Sequence, residues 1–168
     1  MAEPVALDER GSSFAGGAPS DGDETGAEEL LTRVPLFEGL GRVELARLAA
    51  QLDLVEVDDG RAVVRQGEPG DTLYVVAGGS FGVFAAPSGE GWEVRLATLS
   101  AGDVFGEMAL FTEERRSATV CAEGGGRVLS LPRDRFLELL RREPAMFLSV
   151  AVTLSRRLHA TECHPKNR

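Results

Sequence analysis

Residues 53–86 read DLVEVDDGRAVVRQGEPGDTLYVVAGGSFGVFAA, and this texture decides the fold class. Short β-branched or apolar runs alternate with turn-forming clusters. LVEV meets Asp58-Asp59-Gly60, RAVVRQ meets Gly67-Glu68-Pro69-Gly70-Asp71, and TLYVVA meets Gly78-Gly79 before FGVFAA. The pattern continues past Pro87-Ser88-Gly89-Glu90-Gly91 into WEVRLATL, Ser100-Ala101-Gly102-Asp103, SATVCA, Gly124-Gly125-Gly126 and RVLSL, ending at Leu131. Apolar runs of this length at regular spacing predict strands of a β-sandwich or barrel. Two packed sheets in a jelly roll account for many turns and few long helices.

Helical periodicity flanks this region. From Glu28 to Leu52 apolar residues recur at helical spacing, with an interruption at Pro35. After Leu131 the pattern returns. Ser130 is the predicted cap and Pro132 a first-turn residue, with Phe136, Leu137, Leu139 and Leu140 on the buried face. Glu143-Pro144 breaks this helix. A second follows to Glu162, about 28 Å long at ~1.5 Å per residue. Its apolar stripe is Phe147, Val150, Ala151, Leu154 and Leu158, widened by Leu148 and Val152. It is too apolar for a solvated helix, so it packs on the barrel or also meets a second copy of the chain as a homodimer seam.

The chain has 168 residues, enough for one self-sufficient core plus a tail. Its two cysteines, Cys121 and Cys163, make no disulfide framework and read as free thiols. No run is long and apolar enough to span a membrane. The N-terminus lacks the basic start and apolar block of a secretory signal, so a cytoplasmic location is expected. The net charge of −9 is mostly local: residues 1–29 hold eight acids and one base, the remainder nineteen acids and seventeen bases. Residues 1–27 are therefore expected to be a disordered, acidic, Gly-rich tail. The near-neutral remainder gives no reason to expect DNA binding.

Residues 105–120, FGEMALFTEERRSATV, carry the chemistry. Gly106 lets a ligand approach backbone closely because it has no Cβ. The turn from Glu107 through Phe111 would present N–H groups at a helix start, which attract an anion. Alternation along SATVCA puts Ala118 and Val120 inward, so Arg116 faces the ligand and Arg115 faces solvent. Ser117 can donate its hydroxyl to the same anion. The charge-assisted contact from Arg116 contributes about 1.5–3 kcal/mol. Glu107 would repel a purely anionic ligand, but suits one with a hydroxyl close to its phosphate. A singly charged ribose phosphate has that combination, and the P-loop pattern for triphosphates is absent. The alternative is a plain Glu107–Arg116 ion pair in a sharp bend, which is costly to bury.

FGEMAL followed by RRSATV resembles the phosphate-binding cassette of the cyclic nucleotide-binding domain family. That family includes the regulatory subunits of cyclic-AMP-dependent kinase and the bacterial catabolite activators. VPLFEGL, QGEPGDTLYVVAGGSFGVF and LSAGDVFGE occur in the matching order, and the resemblance covers about residues 28–162. It implies a mainly β fold, an eight-stranded jelly-roll barrel (a double-stranded β-helix), flanked by N-terminal helices, a short cassette helix and two C-terminal helices. It further implies that Glu107 accepts the ribose 2′-hydroxyl. Gly106 and the N–H groups around Met108 and Ala109 would meet sugar and phosphate, Arg116 would pair with the cyclic phosphate, and Ser117 would assist. SRRLHATE looks similar to the region carrying an adenine-contacting Thr, which places that contact at Thr161; the plain reading is a polar residue at a helix end. Cyclic AMP is favoured over cyclic GMP, although Ser117 could touch a guanine.

The cassette often has Pro where this chain has Arg115, which alters loop stiffness more than ligand chemistry. Cys163 to Arg168 cannot form the helix-turn-helix of the bacterial activators. The expectation is a stand-alone sensor acting on an unnamed effector protein, or the sensor piece of a larger CRP/FNR-like transcription regulator. A relative that keeps the fold without the ligand is the other alternative. Enzymatic chemistry is not expected. His159 and His164 lie beyond the barrel, so neither a metal cluster nor a nucleophile–base pair is in reach, and no cofactor is called for.

Overall fold

The computed structural model describes residues 23–87, 92–144, 146–148, 151–152 and 155–156. Two helices come first, α1 (Asp23–Thr32) and α2 (Arg42–Ala49), joined by a 3-10 turn at Pro35–Phe37. Pro35 opens that turn, where its missing N–H costs nothing. The strands are β1 (Asp53–Val57), β2 (Ala62–Val64), β3 (Thr72–Ala85), β4 (Val94–Leu99), β5 (Val104–Phe105) and β6 (Thr119–Pro132). A short helix, α3 (Met108–Thr112), stands between β5 and β6, and α4 (Arg133–Arg142) follows β6. The fold is mainly β with flanking helices.

Eight strands of a closed barrel were the expectation; among the described residues there are six strands, and the sheet is not closed. Two glycine clusters account for part of the difference. Gly78-Gly79 and Gly124-Gly125-Gly126 read as turns, but they are irregularities inside two long antiparallel strands. TLYVVA and FGVFAA are one strand, β3, and SATVCA and RVLSL are one strand, β6. The two pair from Thr72 with Pro132 to Phe84 with Thr119, and the register slips on both sides of Gly78-Gly79. Gly79, Gly124 and Gly125 all adopt positive φ. A Cβ on Gly79 would lie 2.5 Å from the Gly125 oxygen and 2.6 Å from the Gly126 Cα. Only glycines let the two backbones approach so closely.

Each long strand therefore serves two groups of partners. Toward one end β6 pairs with β1 and β3 with β5; toward the other, β6 pairs with β2 and β3 with β4. Side chains from both ends meet in one cluster, which includes Val76, Phe81, Phe105, Val120, Ala122 and Val128. The Phe81 and Phe105 ring centroids are 6.5 Å apart. Along β3 the alternation is strict: Tyr74 and Val76 face this cluster, while Leu73 and Val75 face the helices. The helix-side cluster includes Leu31, Phe37, Leu48, Leu73, Leu131, Phe136 and Met146. Burial on both faces is why TLYVV is nearly continuously apolar.

Two helix readings are corrected. Ser130 does not cap α4, because β6 continues through it in register with Tyr74 and Asp53. Its hydroxyl donates to the Asp53 carbonyl at 3.4 Å, and α4 starts after an extended Pro132. Among the described residues that follow, Met146 is buried, whereas Phe147, Leu148 and Val152 are exposed. Of the predicted stripe, Phe147 and Ala151 are exposed, while Val150, Leu154 and Leu158 lie outside the described residues. Phe136 is fully buried as read, with Leu139 and Leu140 packed beside it.

The glycine crossing yields a direct comparison. At Gly124, also at positive φ, a Cβ would meet nothing within 4 Å. Gly124→Ala should then cost only the left-handed backbone strain, about 1–2 kcal/mol. Gly79→Ala adds steric overlap worth roughly 1–3 kcal/mol more. Urea unfolding of the two variants measures the difference; equal losses would show that the close crossing is not a constraint.

Candidate functional site

The Gln66–Asp71 loop, β5 with the start of α3, and the approach to β6 converge on Arg116. The main chain fixes its position first. The Gly67 N–H donates to the Arg116 carbonyl and the Arg116 N–H donates to the Glu68 carbonyl, both at 2.8 Å. Gln66 ties the same loop to its neighbours. Its N–H donates to Thr119 Oγ1 at 3.0 Å, and its side-chain amide exchanges two hydrogen bonds with the Ala86 backbone.

The Arg116 side chain turns inward and is 7% exposed. One guanidinium nitrogen donates to the Gly106 carbonyl at 3.0 Å, the other to the Thr72 carbonyl at 2.9 Å. Gly70 and Gly106 make the space for it. A Cβ at Gly70 would fall on the guanidinium, and one at Gly106 would lie 2.6 Å from it. Arg116 also lies over the Tyr74 ring, 6.0 Å from its centroid, and Tyr74 stacks on Phe105 at 5.1 Å.

Glu107 is 3% exposed and stands at the N-cap of α3, directly after the Gly106 carbonyl that Arg116 grips. The sequence-predicted residues Gly106, Glu107, Met108, Ala109 and Arg116 are thus assembled around one bend between β5 and β6. Ser117 follows Arg116 and is exposed, as is Arg115, whose guanidinium donates to the Gly67 carbonyl at 2.9 Å. Thr161 lies outside the described residues. The alternation used to choose between the arginines is absent here, since β6 begins only at Thr119 and both Thr119 and Val120 are buried. What turns Arg116 inward is the pair of backbone bonds to the Gly67-Glu68 turn.

Tyr74, Thr72 and Gly70 escaped the reading from residue chemistry. The glycines in QGEPGD read as turn formers, and a tyrosine inside an apolar run reads as core. The cassette also touches α4: Phe111 packs edge-on to Phe136 at 5.7 Å. Glu113, in the left-handed region at φ 53°, lies 3.7 Å from Arg133. That exposed ion pair contributes little on its own.

Burial pushes the Tyr74 phenol above its ordinary value of 10.0, and Asp71 pushes the same way while Arg116 opposes both. A folded-state value above the unfolded one means the folded protein holds the proton longer. Tyr74 therefore contributes fully to stability below about pH 10, and the contribution is lost as pH rises through the folded value. This is the only Tyr in the chain, so phenolate absorbance reports it directly. Native protein should ionise at higher pH than urea-unfolded protein; coincident curves would contradict the half-buried placement.

Comparison with known proteins identifies the family. Residues 54–143 match the model of the cyclic nucleotide-binding domain. The chain is 36% identical over 128 residues to the cyclic AMP receptor protein of Thermus thermophilus, covering 76% of this chain and 59% of that one. It is 36% identical over 111 residues to the cGMP-dependent protein kinase egl-4 of Caenorhabditis elegans, covering 66% of this chain and 14% of the kinase. The regulatory domain of Toxoplasma gondii PKA, crystallised with cAMP, aligns with a TM-score of 0.70 and 32% identity, covering 82% of this chain and 50% of that one. The chain spans less than two thirds of each of these relatives. No described helix is long and apolar enough to cross a membrane. On its match to the domain model, and with its cassette residues gathered around one buried arginine, the chain belongs to the cyclic nucleotide-binding domain family.

Proposed function

We propose that this chain is a non-catalytic sensor that binds a cyclic nucleoside monophosphate at Arg116 and Glu107, with cyclic AMP preferred over cyclic GMP. One observation carries the reading. Among the described residues, the buried charged side chains are Glu107 and Arg116, and they flank one bend. Burying the Arg116 charge is costly unless an opposite charge compensates it. The two Arg116 bonds described above go to neutral carbonyls, so a monoanionic phosphate is a ligand the site is built to reward. Glu107 takes the ribose 2′-hydroxyl. Gly106 and the backbone N–H groups at Met108 and Ala109 line sugar and phosphate, and Ser117 assists at the rim. Thr161 is the proposed contact to the adenine.

Ligand binding shifts a population rather than creating a new state. The phosphate draws the cassette onto Arg116, and α3 passes the movement to α4 through Phe111 and Phe136. The helical residues beyond α4 then repack, or join a second copy through exposed Phe147, Leu148 and Val152. The effector that reads this change is a separate protein, or a further part of a longer regulator such as those the chain matches over part of their length. The jelly-roll description of the fold and the cytoplasmic location belong to the same proposal. Kinship with a cGMP-dependent kinase keeps cyclic GMP as the second candidate ligand.

A thermal-shift panel of cyclic AMP, cyclic GMP and AMP tests the reading. Ligand at a hundred times its dissociation constant stabilises the native state by about 2.7 kcal/mol. Cyclic AMP should raise Tm most and AMP least; no shift from any cyclic nucleotide at millimolar concentration would sink the proposal. Arg116→Ala should weaken binding far more than Arg115→Ala. Similar losses in both would show that the exposed arginine shares the phosphate.

A further inference from the structure

We propose that Tyr74 is a positioning residue of this site: its ring, stacked on Phe105, is the floor that holds the Arg116 guanidinium in place for a phosphate. The inference deepens the reading above and rests on it for the ligand.

A guanidinium is planar, with donors around its edge and weakly hydrated faces. Two kinds of contact hold the group. The edge donates to the Thr72 and Gly106 carbonyls at 2.9 and 3.0 Å. The bare flanks of Gly70 and Gly106 leave the group room. The guanidinium carbon lies over the Tyr74 ring, 6.0 Å from its centroid, at the outer limit for attraction between a cation and an aromatic face.

The floor and the edge contacts come from the same two strands. Tyr74 and Phe105 are cross-strand partners in the β3–β5 pairing, and their rings lie 16° from parallel. Thr72, which supplies one carbonyl, is two residues before Tyr74, and Gly106, which supplies the other, directly follows Phe105. A shift of the Tyr74–Phe105 stack therefore moves the floor and both carbonyls together. Nothing in the sugar or phosphate roles assigned above accounts for an aromatic residue at position 74. An aliphatic side chain would fill the inner cluster as well, but would give the cation no π-face.

The experiment uses the full chain and cyclic AMP as probe, with calorimetric titration of Tyr74→Phe and Tyr74→Leu. Tyr74→Leu should bind about tenfold more weakly, and Tyr74→Phe should recover most of that loss because it keeps the ring. A folded Tyr74→Leu protein with wild-type affinity overturns the proposal, as does a Tyr74→Phe protein as impaired as Tyr74→Leu. A spectroscopic arm stays decisive if Tyr74→Leu fails to fold. In wild type, a phosphate on Arg116 offsets the guanidinium charge, so the phenol should ionise at higher pH with cyclic AMP bound. Ligand-free Arg116→Ala should show the same upward displacement, with Asp71 acting equally in every sample. Identical phenol titrations in ligand-free wild type and Arg116→Ala mean that ring and guanidinium are not in contact, and the proposal falls. If Arg116→Ala displaces the titration but wild type binds no cyclic nucleotide, the contact stands and the ligand assignment fails.

Discussion

The close passage of Gly79 over Gly125 and Gly126 is the constraint on which the rest of the molecule depends. Two strands of fourteen residues must bend at the same level, or one sheet could not gather side chains from both its ends. The bend brings Phe81 to Phe105 and closes the inner cluster. It also fixes where β5 lies, and with it the Gly106 carbonyl. Gly126 takes part for the same reason: a Cβ there would lie 2.7 Å from the Phe81 ring. Space withheld from side chains at the crossing becomes space for aromatic packing beneath it.

The second organising problem is electrostatic. A cation at Arg116 loses water as it is buried, and two carbonyls with an aromatic face replace part of that hydration. Lysine would not fit this arrangement, since a compact ammonium lacks the planar fork that reaches two carbonyls while its centre lies over a ring. The main-chain bonds to Gly67 and Glu68 complete the setting. They place the arginine before its side chain makes any contact. A loop of turn-forming residues thus determines the direction of the most important charge in the site.

Much of this was legible in the residues, and the failures share a physical pattern. Local chemistry is read well from sequence: FGE followed by RRSATV gave the buried acid and arginine as neighbours, and Pro35 gave the break between the first helices. Glycine is ambiguous, because the same absence of Cβ suits a turn and a bulge in a continuous strand. Only the partner strand decides, and at Gly78-Gly79 it decided for the bulge. Which of the first helical residues after α4 faces the core is ambiguous for a similar reason. Met146, Phe147 and Leu148 are consecutive and all apolar, so their pattern cannot say which one meets the core. Tyr74 was obscured because β3 is buried on both faces, which hides a residue with a second role among ordinary core positions.

The long β3–β6 ladder has a consequence in time as well as in space. The hydrogen bond from Arg116 to Thr72 joins residues 44 apart in sequence, and the ladder beside it pairs Thr72 with Pro132. Closing such separations delays folding, because chain entropy is lost before contacts reward it. A ladder that zips from its short-separation end at Phe84 and Thr119 towards Thr72 and Pro132 would complete the arginine cradle late. A nucleotide that grips a structure absent from the folding transition state leaves the rate of folding nearly unchanged and retards unfolding instead. The ligand would then act as a lock on a finished molecule, extending its lifetime rather than guiding its assembly.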